Sequence, residues 1–193
     1  TRFIANMLLK NLIKTPSNNF KDIKVNGISL DSRSIKRGNL FFAIKGSKVD
    51  GKKFINEAIK KGAKAVVCSK DIKINNFKVL TVKVKNPLKA LEYACINFYK
   101  KKPKNIFAVT GTNGKSSVAD FFHQILFLNN INVATIGTLG IKCNNKIKKI
   151  NLTSPDIITL HKELANIKKK KIDNVIIEAS SHGLHQGRLN GIN

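Results

Sequence analysis

Few cysteines and no long apolar run characterise this chain of 193 residues. The three cysteines, Cys68, Cys95 and Cys143, are odd in number and far apart, which argues against a disulfide framework or a metal knuckle. We interpret them as buried thiols in a reducing compartment. No apolar run approaches the roughly 20 residues that cross a membrane, and the N-terminal stretch lacks a signal-peptide cleavage site. The sequence therefore favours a cytoplasmic protein without a membrane partner.

Arginine is also scarce, although the chain is strongly basic. The formal net charge is +25, yet only four of the 36 cationic side chains are arginines. Arginine is the residue that reads and stacks on bases, so a surface selected for nucleic acid would carry more of it. The lysines are spread along the whole chain among many Asn and Ile residues, as AT-rich codon usage would produce. We therefore expect no nucleic-acid partner; a steeply salt-dependent affinity for DNA would reveal one.

Hydrophobic patterning predicts two α/β pieces. In the first piece, a helix is predicted at 54–61 and ends at Gly62, and another begins at Pro87. Strands are predicted at 28–31, 40–43, 65–68 and 79–84. The polar run 100–104 has no periodicity and is the predicted boundary. We assign residues 1–103 to one domain and residues 104–193 to a second, which we expect to be cut short at Asn193.

The second piece begins with a strand, a loop, a helix and a strand, the order of a βαβ unit. Strands are predicted at 106–109, 133–136 and 175–178, helices at 117–128 and 155–167, and a hairpin at Asn144-Asn145. His123 and His161 fall on the helices, and we interpret both as structural. In the first helix we predict five inward-facing apolar side chains: Val118, Phe121, Phe122, Ile125 and Leu126. The predicted fold class is α/β, a small N-terminal domain followed by a partial P-loop-type domain with a parallel sheet.

A glycine loop, TGTNGKSS at 110–117, joins the first strand of this unit to its helix. We call this segment the phosphate loop. Gly111 and Gly114 let the backbone curl so that N–H groups converge at the helix N-terminus, where a phosphate is favoured. Lys115 can reach the β- and γ-phosphates, and the Ser116 hydroxyl can hold Mg²⁺. A strict P-loop would have glycine in place of Val109, so this is a shortened variant. The predicted ATP-binding residues are Gly111, Thr112, Asn113, Gly114, Lys115, Ser116 and Ser117.

A carboxylate at the end of a predicted buried strand is the second chemical signal. Glu178 follows the apolar run 174–177, and a parallel strand delivers its last residue to the sheet edge where nucleotides bind. A carboxylate there can hold Mg²⁺ directly or through water. A helix cap or a solvent-exposed acid is the alternative, which the neighbouring phosphate loop disfavours. His182 follows shortly after. A functional residue at the same sheet edge and a turn residue bonded to the backbone are equal interpretations of it.

Several segments, in order, resemble the Mur ligase family. They are TGTNGKSS at 110–117, LTSPD at 152–156 and IEASSHGLHQGRL at 177–189. Upstream, residues 30–67 resemble the uridine-nucleotide-binding N-terminal domain of that family. Within the family, the segment SSHGL…Q.R favours the MurE-type branch. The resemblance extends from about residue 30 to residue 193, nearly the whole chain.

The resemblance implies a role for each matching residue. Lys115 and Glu178 are implied to be catalytic, with Ser116 and Glu178 as magnesium ligands. Contacts with the uridine nucleotide are implied for Leu30, Ser32, Ser47, Lys48 and Val49. Contacts with the muramoyl-peptide are implied for Thr153, Ser154, Ser180, Gln186 and Arg188, the last being suited to an anionic group. Serine stands where the family has threonine at positions 116, 117 and 154, and it keeps the hydroxyl. For Asp31 we favour a salt-linked turn with Arg33.

The implied activity is that of an ATP-dependent ligase of peptidoglycan precursor synthesis, and hence of cell wall biogenesis, cell shape and cell division. ATP would convert the D-glutamyl carboxylate of UDP-MurNAc-L-Ala-D-Glu to an acyl phosphate, from which a diamino acid would displace phosphate. The resemblance leaves the choice between meso-diaminopimelate and L-lysine open, and it implies a monomer.

The implied ligase activity is accompanied by one expectation for this chain and by one alternative function. The family's Asp-His motif, carbamylated lysine and third domain are not found in these residues, so we expect the chain by itself to bind nucleotides without turnover. The alternative function is a non-catalytic nucleotide-binding module that kept the fold and lost the chemistry. The intact Lys115, Ser116 and Glu178 argue against it.

Overall fold

The computed structural model describes residues 6–14, 22–46, 49–72, 79–149 and 155–192. The chain divides into two compact units, Thr1–Phe98 and Tyr99–Asn193. The predicted boundary after residue 103 lies in the lysine-rich run that begins just beyond this division.

Unit 1 is built on a parallel sheet of four strands, preceded by a short antiparallel pair. The pair consists of β1 (Met7–Leu8) and β2 (Lys24–Val25). The sheet contains, in spatial order, β3 (Gly27–Ser29), β4 (Asn39–Phe42), β5 (Ala65–Ser69) and β6 (Leu80–Val84). All four residues of β4 are buried, as are the first four of β5. Such continuously buried strands are typical of a parallel sheet covered on both faces.

Two helices accompany this sheet, α1 (Ile55–Lys60) and α2 (Pro87–Phe98). The predicted end of α1 is confirmed, because Gly62 has a φ of +96° and its amide donates to the Ile59 carbonyl at 2.9 Å. The predicted start of α2 is also confirmed, since the Asn86 side chain accepts a hydrogen bond from the Lys89 amide at 3.0 Å. The unit therefore follows the predicted α/β pattern, with boundaries displaced by a residue or two.

Unit 2 is built on a mixed sheet whose parallel part holds the phosphate loop. Its strands are β7 (Asn105–Val109), β8 (Val133–Gly137), β9 (Gly140–Cys143), β10 (Lys146–Lys148) and β11 (Asn174–Glu178). Their spatial order is β10-β9-β8-β11-β7, so β11 lies between β8 and β7 and runs parallel to both. The predicted hairpin is confirmed as β9 and β10, which pair antiparallel. The helices are α3 (Lys115–Leu128), α4 (Ile157–Lys169) and α5 (Ser181–His185).

The prediction of the inward face of α3 is partly wrong. Val118, Phe121 and Ile125 are 52%, 63% and 61% exposed, whereas Phe122 and Leu126 are partly buried. The fully buried residues of the helix are Ala119 and His123. Apolar side chains occupy both faces of α3, so hydrophobic periodicity did not single out the face that packs against the sheet.

His123 and His161, which were interpreted as structural, are both buried in unit 2. His123 donates from Nε2 to the Asn144 carbonyl at 3.0 Å and accepts at Nδ1 from the Thr135 hydroxyl at 2.8 Å. His161 is fully buried and donates from Nε2 to the Asn190 carbonyl at 2.9 Å. Burial lowers the pKa of His161 to about 4, with the hydrogen bond to Asn190 opposing the shift. His161 is therefore neutral near pH 7, and burial lowers the pKa of His123 in the same direction.

The three cysteines are buried free thiols, as predicted. None of the helices in the described part of the chain has the length and apolarity needed to span a membrane. Within the same part, no three His, Cys, Asp or Glu side chains come together as a metal-binding group. Any metal site among these residues must therefore use hydroxyls, backbone groups or a ligand as well.

His161 is predicted to make stability fall between pH 6.5 and pH 4. The ring has a pKa near 6.5 in an unfolded chain and about 4 in the fold, so the unfolded chain takes up the proton first. The free energy of unfolding therefore falls progressively below pH 6.5, by at most roughly 3 kcal/mol once pH 4 is reached. Denaturant unfolding at pH 7, 5.5 and 4 should show a smaller loss for His161→Gln, whose amide can still donate to Asn190. Equal losses in both proteins would contradict this account.

Candidate active site

The phosphate loop and Glu178 start from the same edge of the unit 2 sheet. In the register of β7 and β11, Val109 lies opposite Glu178. The Ala179 amide donates to the Val109 carbonyl at 2.8 Å, which extends the pairing one residue beyond the strand end. β7 continues directly into the glycine loop, and β11 ends at Glu178. Parallel strands therefore bring together two features that lie far apart in the sequence.

The loop curls back on itself before α3 begins. Gly114, which directly precedes the helix, has a φ of +80°, in the left-handed region that favours glycine. The Lys115 ammonium group donates to the carbonyl oxygens of Gly111 and Thr112 at 2.7 and 3.2 Å. Residues 110–114, 116 and 117 are exposed. The loop therefore offers backbone N–H groups and one ammonium group to solvent at a helix N-terminus.

The Glu178 carboxylate is buried, with 3% of the residue exposed. Its Oε2 accepts hydrogen bonds from the Ser116 hydroxyl at 2.8 Å and the Thr138 hydroxyl at 3.0 Å. Its Oε1 accepts from the Thr138 amide at 3.3 Å. A buried charge is stable only when it is bonded in this way. Glu178 is thus neither a solvent-exposed acid nor a helix cap, since Ser180 caps the helix that follows.

Two residues of this site were missed by the sequence analysis, Gly137 and Thr138. They lie where β8 turns into β9, beside the end of β11. A Cβ atom on Gly137 would lie only 2.0 Å from Glu178 Oε1, so only glycine leaves room for the carboxylate. The pairing of Ile136 with Ile177 brings both residues to Glu178. That pairing is a long-range contact, and neither residue carries a local sequence signal for it.

The donor set of the site suits a magnesium ion. Ser116 and Thr138 supply hydroxyls and Glu178 supplies a carboxylate, so every side-chain donor is oxygen. Mg²⁺ prefers oxygen ligands and is usually held by one or two carboxylates together with waters and substrate phosphates. The residues present therefore fit a magnesium ion that arrives with a phosphate ligand on the loop.

Comparison with known proteins identifies the family. A family model described as "Mur ligase middle domain" matches residues 109–193, and one described as "Mur ligase family, catalytic domain" matches residues 24–100. The chain belongs to the Mur ligase family. It is 43% identical over 174 residues to UDP-N-acetylmuramoyl-L-alanyl-D-glutamate–2,6-diaminopimelate ligase of Rickettsia typhi, a match that covers 88% of this chain and 35% of that protein. The ligase of the same name from Brucella melitensis is 41% identical over 171 residues, with 89% and 35% covered.

Solved structures of Mur ligases share the fold. A structure of a ligase of that name superimposes with a TM-score of 0.80 at 26% identity, covering 97% of this chain and 38% of the other. MurF of Thermotoga maritima, solved in complex with ADP, shares the fold at a TM-score of 0.53 and 21% identity, with 80% and 32% covered. The chain spans about a third of the length of the curated Mur ligases that it matches.

The residues implied to contact a uridine nucleotide in Mur ligases lie in unit 1. Ser32 is buried, and its hydroxyl donates to Glu57 Oε2 at 2.7 Å. Hydrogen bonds from Lys61 and then from Ser32 hold the pKa of Glu57 below its usual value. Leu30 is half-buried and Val49 is half-exposed, whereas Ser47 and Lys48 lie outside the described residues. Their contact with a nucleotide stays a prediction.

A short turn shapes the chain around Ser32. The Asp31 carboxylate accepts from the Arg33 amide at 2.9 Å and pairs with the Arg33 guanidinium at 2.9 Å. The hydrogen bond from the Arg33 side chain is the main cause that lowers the pKa of Asp31. The interpretation of Asp31 as part of a salt-linked turn is therefore confirmed.

The residues implied to contact the muramoyl-peptide are partly brought together in unit 2. The Arg188 guanidinium donates twice to Gln186 Oε1, at 2.9 Å from Nε and 2.7 Å from Nη2. The Gln186 side-chain amide in turn lies 2.9 Å from His182 Nε2, within hydrogen-bond distance. The Ser180 hydroxyl accepts from the Gly183 amide at 3.1 Å and caps the N-terminus of α5. Thr153 and Ser154 lie outside the described residues.

Replacing Gly137 with alanine is predicted to destabilise unit 2 by roughly 1–3 kcal/mol, because the new methyl group would overlap the Glu178 carboxylate. In a Glu178→Ala background the clash is absent, and alanine should cost less than about 0.5 kcal/mol because it also restricts the unfolded chain. Denaturant unfolding of the four proteins of this cycle measures both costs. An equal cost in the two backgrounds would show that the new methyl group does not clash with Glu178.

Proposed function

We propose that this protein is a MurE-type ligase that uses ATP to join a diamino acid to UDP-MurNAc-L-Ala-D-Glu. The observation that carries the proposal is the 2.8 Å contact between Ser116 on the phosphate loop and the buried Glu178. The contact supports the proposal because a carboxylate beside such a loop could hold a magnesium ion that accompanies a triphosphate. Relatives about 40% identical bear the name of a 2,6-diaminopimelate ligase, and we propose 2,6-diaminopimelate as the diamino acid here.

The second domain, residues 104–193, is proposed to bind ATP. The backbone of Gly111–Ser117 would surround the phosphates, and Lys115 would turn from its own loop carbonyls to the transferred phosphoryl group. In the structure, the Lys115 ammonium group donates to two backbone carbonyl oxygens, which are neutral acceptors. A phosphate carries full negative charge and forms the stronger, charge-assisted hydrogen bond. The exchange of partners therefore favours nucleotide binding.

Ser116 and Glu178 are proposed to hold a magnesium ion with the nucleotide. When bound, the ion would neutralise charge on the phosphoryl oxygens. Glu178 is already oriented and desolvated by its surroundings, so it does not have to be reordered when the ligand arrives. The contribution of the chain is positioning, because in phosphoryl transfer the protein has little covalent chemistry to perform.

The proposed reaction forms one amide bond and splits one ATP. An oxygen of the D-glutamyl carboxylate attacks the γ-phosphorus while the bond from that phosphorus to the β-phosphate oxygen breaks, giving ADP and an acyl phosphate. The amine then attacks the acyl carbon, loses a proton, and displaces inorganic phosphate. Lys115 would balance charge on the phosphoryl oxygens in the first step. We assign Arg188, held by Gln186, to an anionic group of the muramoyl-peptide.

The first domain, residues 1–103, is proposed to bind the uridine nucleotide through Leu30, Ser32 and residues 47–49. The protein would then act in the cytoplasm, as a monomer, in the synthesis of peptidoglycan precursors. The chain by itself is expected to bind its nucleotides without completing amide formation. A non-catalytic nucleotide-binding module is the second candidate, and the intact Ser116–Glu178 pair disfavours it.

Lys115→Met is predicted to weaken binding of Mg²⁺·ATP at least about tenfold, because an ammonium group that faces the phosphates is lost without loss of side-chain length. Calorimetric titration measures the affinity. The matched control is Lys162→Met, which removes one charge from an exposed position on α4. The control is needed because a chain of net charge +25 attracts ATP nonspecifically. Equal small losses in both variants would show that only this general charge binds ATP.

Ser32→Ala and Arg188→Ala are each predicted to weaken binding of UDP-MurNAc-L-Ala-D-Glu by about five- to tenfold, since each removes a polar contact to the ligand. Calorimetry at fixed ionic strength gives the affinities. Arg37→Ala, which removes an exposed arginine of unit 1, is the control for net charge. Unchanged affinity in both test variants would reject the assignment of these residues.

A further inference from the structure

Thr138 makes two hydrogen bonds to one carboxylate from a single residue. Its backbone N–H donates to Glu178 Oε1 at 3.3 Å and its hydroxyl donates to Glu178 Oε2 at 3.0 Å. The two bonds end on different oxygens of the same group. The terminal torsion of a glutamate side chain is intrinsically broad, so a two-point contact is what fixes the plane of the carboxylate.

The surrounding structure makes this contact specific to Thr138. β8 ends at Gly137 and β9 begins at Gly140, so Thr138 lies at the first position of a two-residue turn. Gly137 lets the carboxylate approach the turn without obstruction by a side chain. Ser116 reaches the same Oε2 from the phosphate loop. Of these two hydroxyls, the one on Thr138 is supported by a second hydrogen bond from its own backbone.

We infer that Thr138 is a positioning residue, which holds the Glu178 carboxylate in the orientation that receives the magnesium ion of a bound nucleotide. The inference rests on the proposed function, because it concerns the same nucleotide site. Thr138 acts through Glu178. Without the Thr138 hydroxyl, the carboxylate keeps the Thr138 amide on Oε1 and the Ser116 hydroxyl on Oε2. Ser116 is itself proposed to turn to the magnesium ion, so Oε2 would then lack a fixed donor and the cation would meet a less ordered ligand.

The test measures how much magnesium strengthens the binding of ADP. The affinity of the 193-residue chain for ADP is determined by calorimetry with Mg²⁺ and again with a chelator, and the ratio of the two affinities is the magnesium gain. Thr138→Val keeps the shape of the side chain and removes the hydroxyl, whereas Thr138→Ser keeps the hydroxyl. We expect Thr138→Val to lower the magnesium gain about fivefold, Thr138→Ser to retain it, and affinity without magnesium to be the same in all three proteins.

The outcomes separate this inference from the proposed function. A magnesium gain in Thr138→Val equal to that of the wild type would overturn the inference and leave the nucleotide site intact. Equal weakening with and without Mg²⁺, accompanied by a lower melting temperature, would show a purely structural role and also overturn it. Absence of ADP binding by the wild-type chain in both conditions would reject the proposed function. If Thr138→Val does not fold, Thr138→Ala is measured with the same expectation.

Discussion

The buried carboxylate of Glu178 is the group around which the second unit is organised. A carboxylate with 3% exposure is tolerated only because hydrogen-bond donors surround it. These donors come from the phosphate loop through Ser116 and from the β8–β9 turn through Thr138. Three strands must be in the correct register for the three segments to meet. The same contacts that stabilise the charge in the fold also hold it beside the phosphate loop, so the stability of the unit and the proposed nucleotide site depend on one arrangement.

The sequence predicted the parts of this site that have a local signature. The glycine loop is recognisable because a strand, two glycines, a lysine and a helix follow one another within a few residues. Glu178 is recognisable because an apolar run ends on an acid. Gly137 and Thr138 were not predicted, since their proximity to Glu178 follows from the order β8-β11-β7, in which strands distant in sequence become neighbours. Family resemblance supplied roles for residues of unit 1 that the fold alone does not assign.

Hydrophobic patterning was reliable for strands and less so for the orientation of helices. The parallel strands of both sheets were located to within one or two residues, because buried parallel strands are continuous apolar runs. The predicted inward face of α3 was wrong at Val118, Phe121 and Ile125, which are exposed. The residues buried there instead are Ala119 and His123, and the two ring nitrogens of His123 bond Thr135 and the Asn144 carbonyl. A polar residue in the core is invisible to an apolar periodicity until its partners are known.

The large positive charge does not by itself define the proposed nucleotide site. Exposed ion pairs such as Lys61–Glu57 and Arg33–Asp31 are screened by water and contribute little to stability. What distinguishes the proposed nucleotide site is geometry, namely one lysine, one serine and one buried carboxylate on a loop that opens at a helix N-terminus. A basic surface attracts any polyphosphate, but it does not order a cation between Ser116 and Glu178.

The most direct test is a crystal structure of the chain with Mn²⁺, as a substitute for Mg²⁺, and a non-hydrolysable ATP analogue. Anomalous scattering then locates the metal. The account predicts a peak between the Ser116 hydroxyl and the Glu178 carboxylate, in direct contact at about 2.1 Å or through one water, with the phosphates on Gly111–Ser117. A metal bound only elsewhere, with Ser116 still hydrogen-bonded to Glu178 and the phosphates away from the loop, would contradict it.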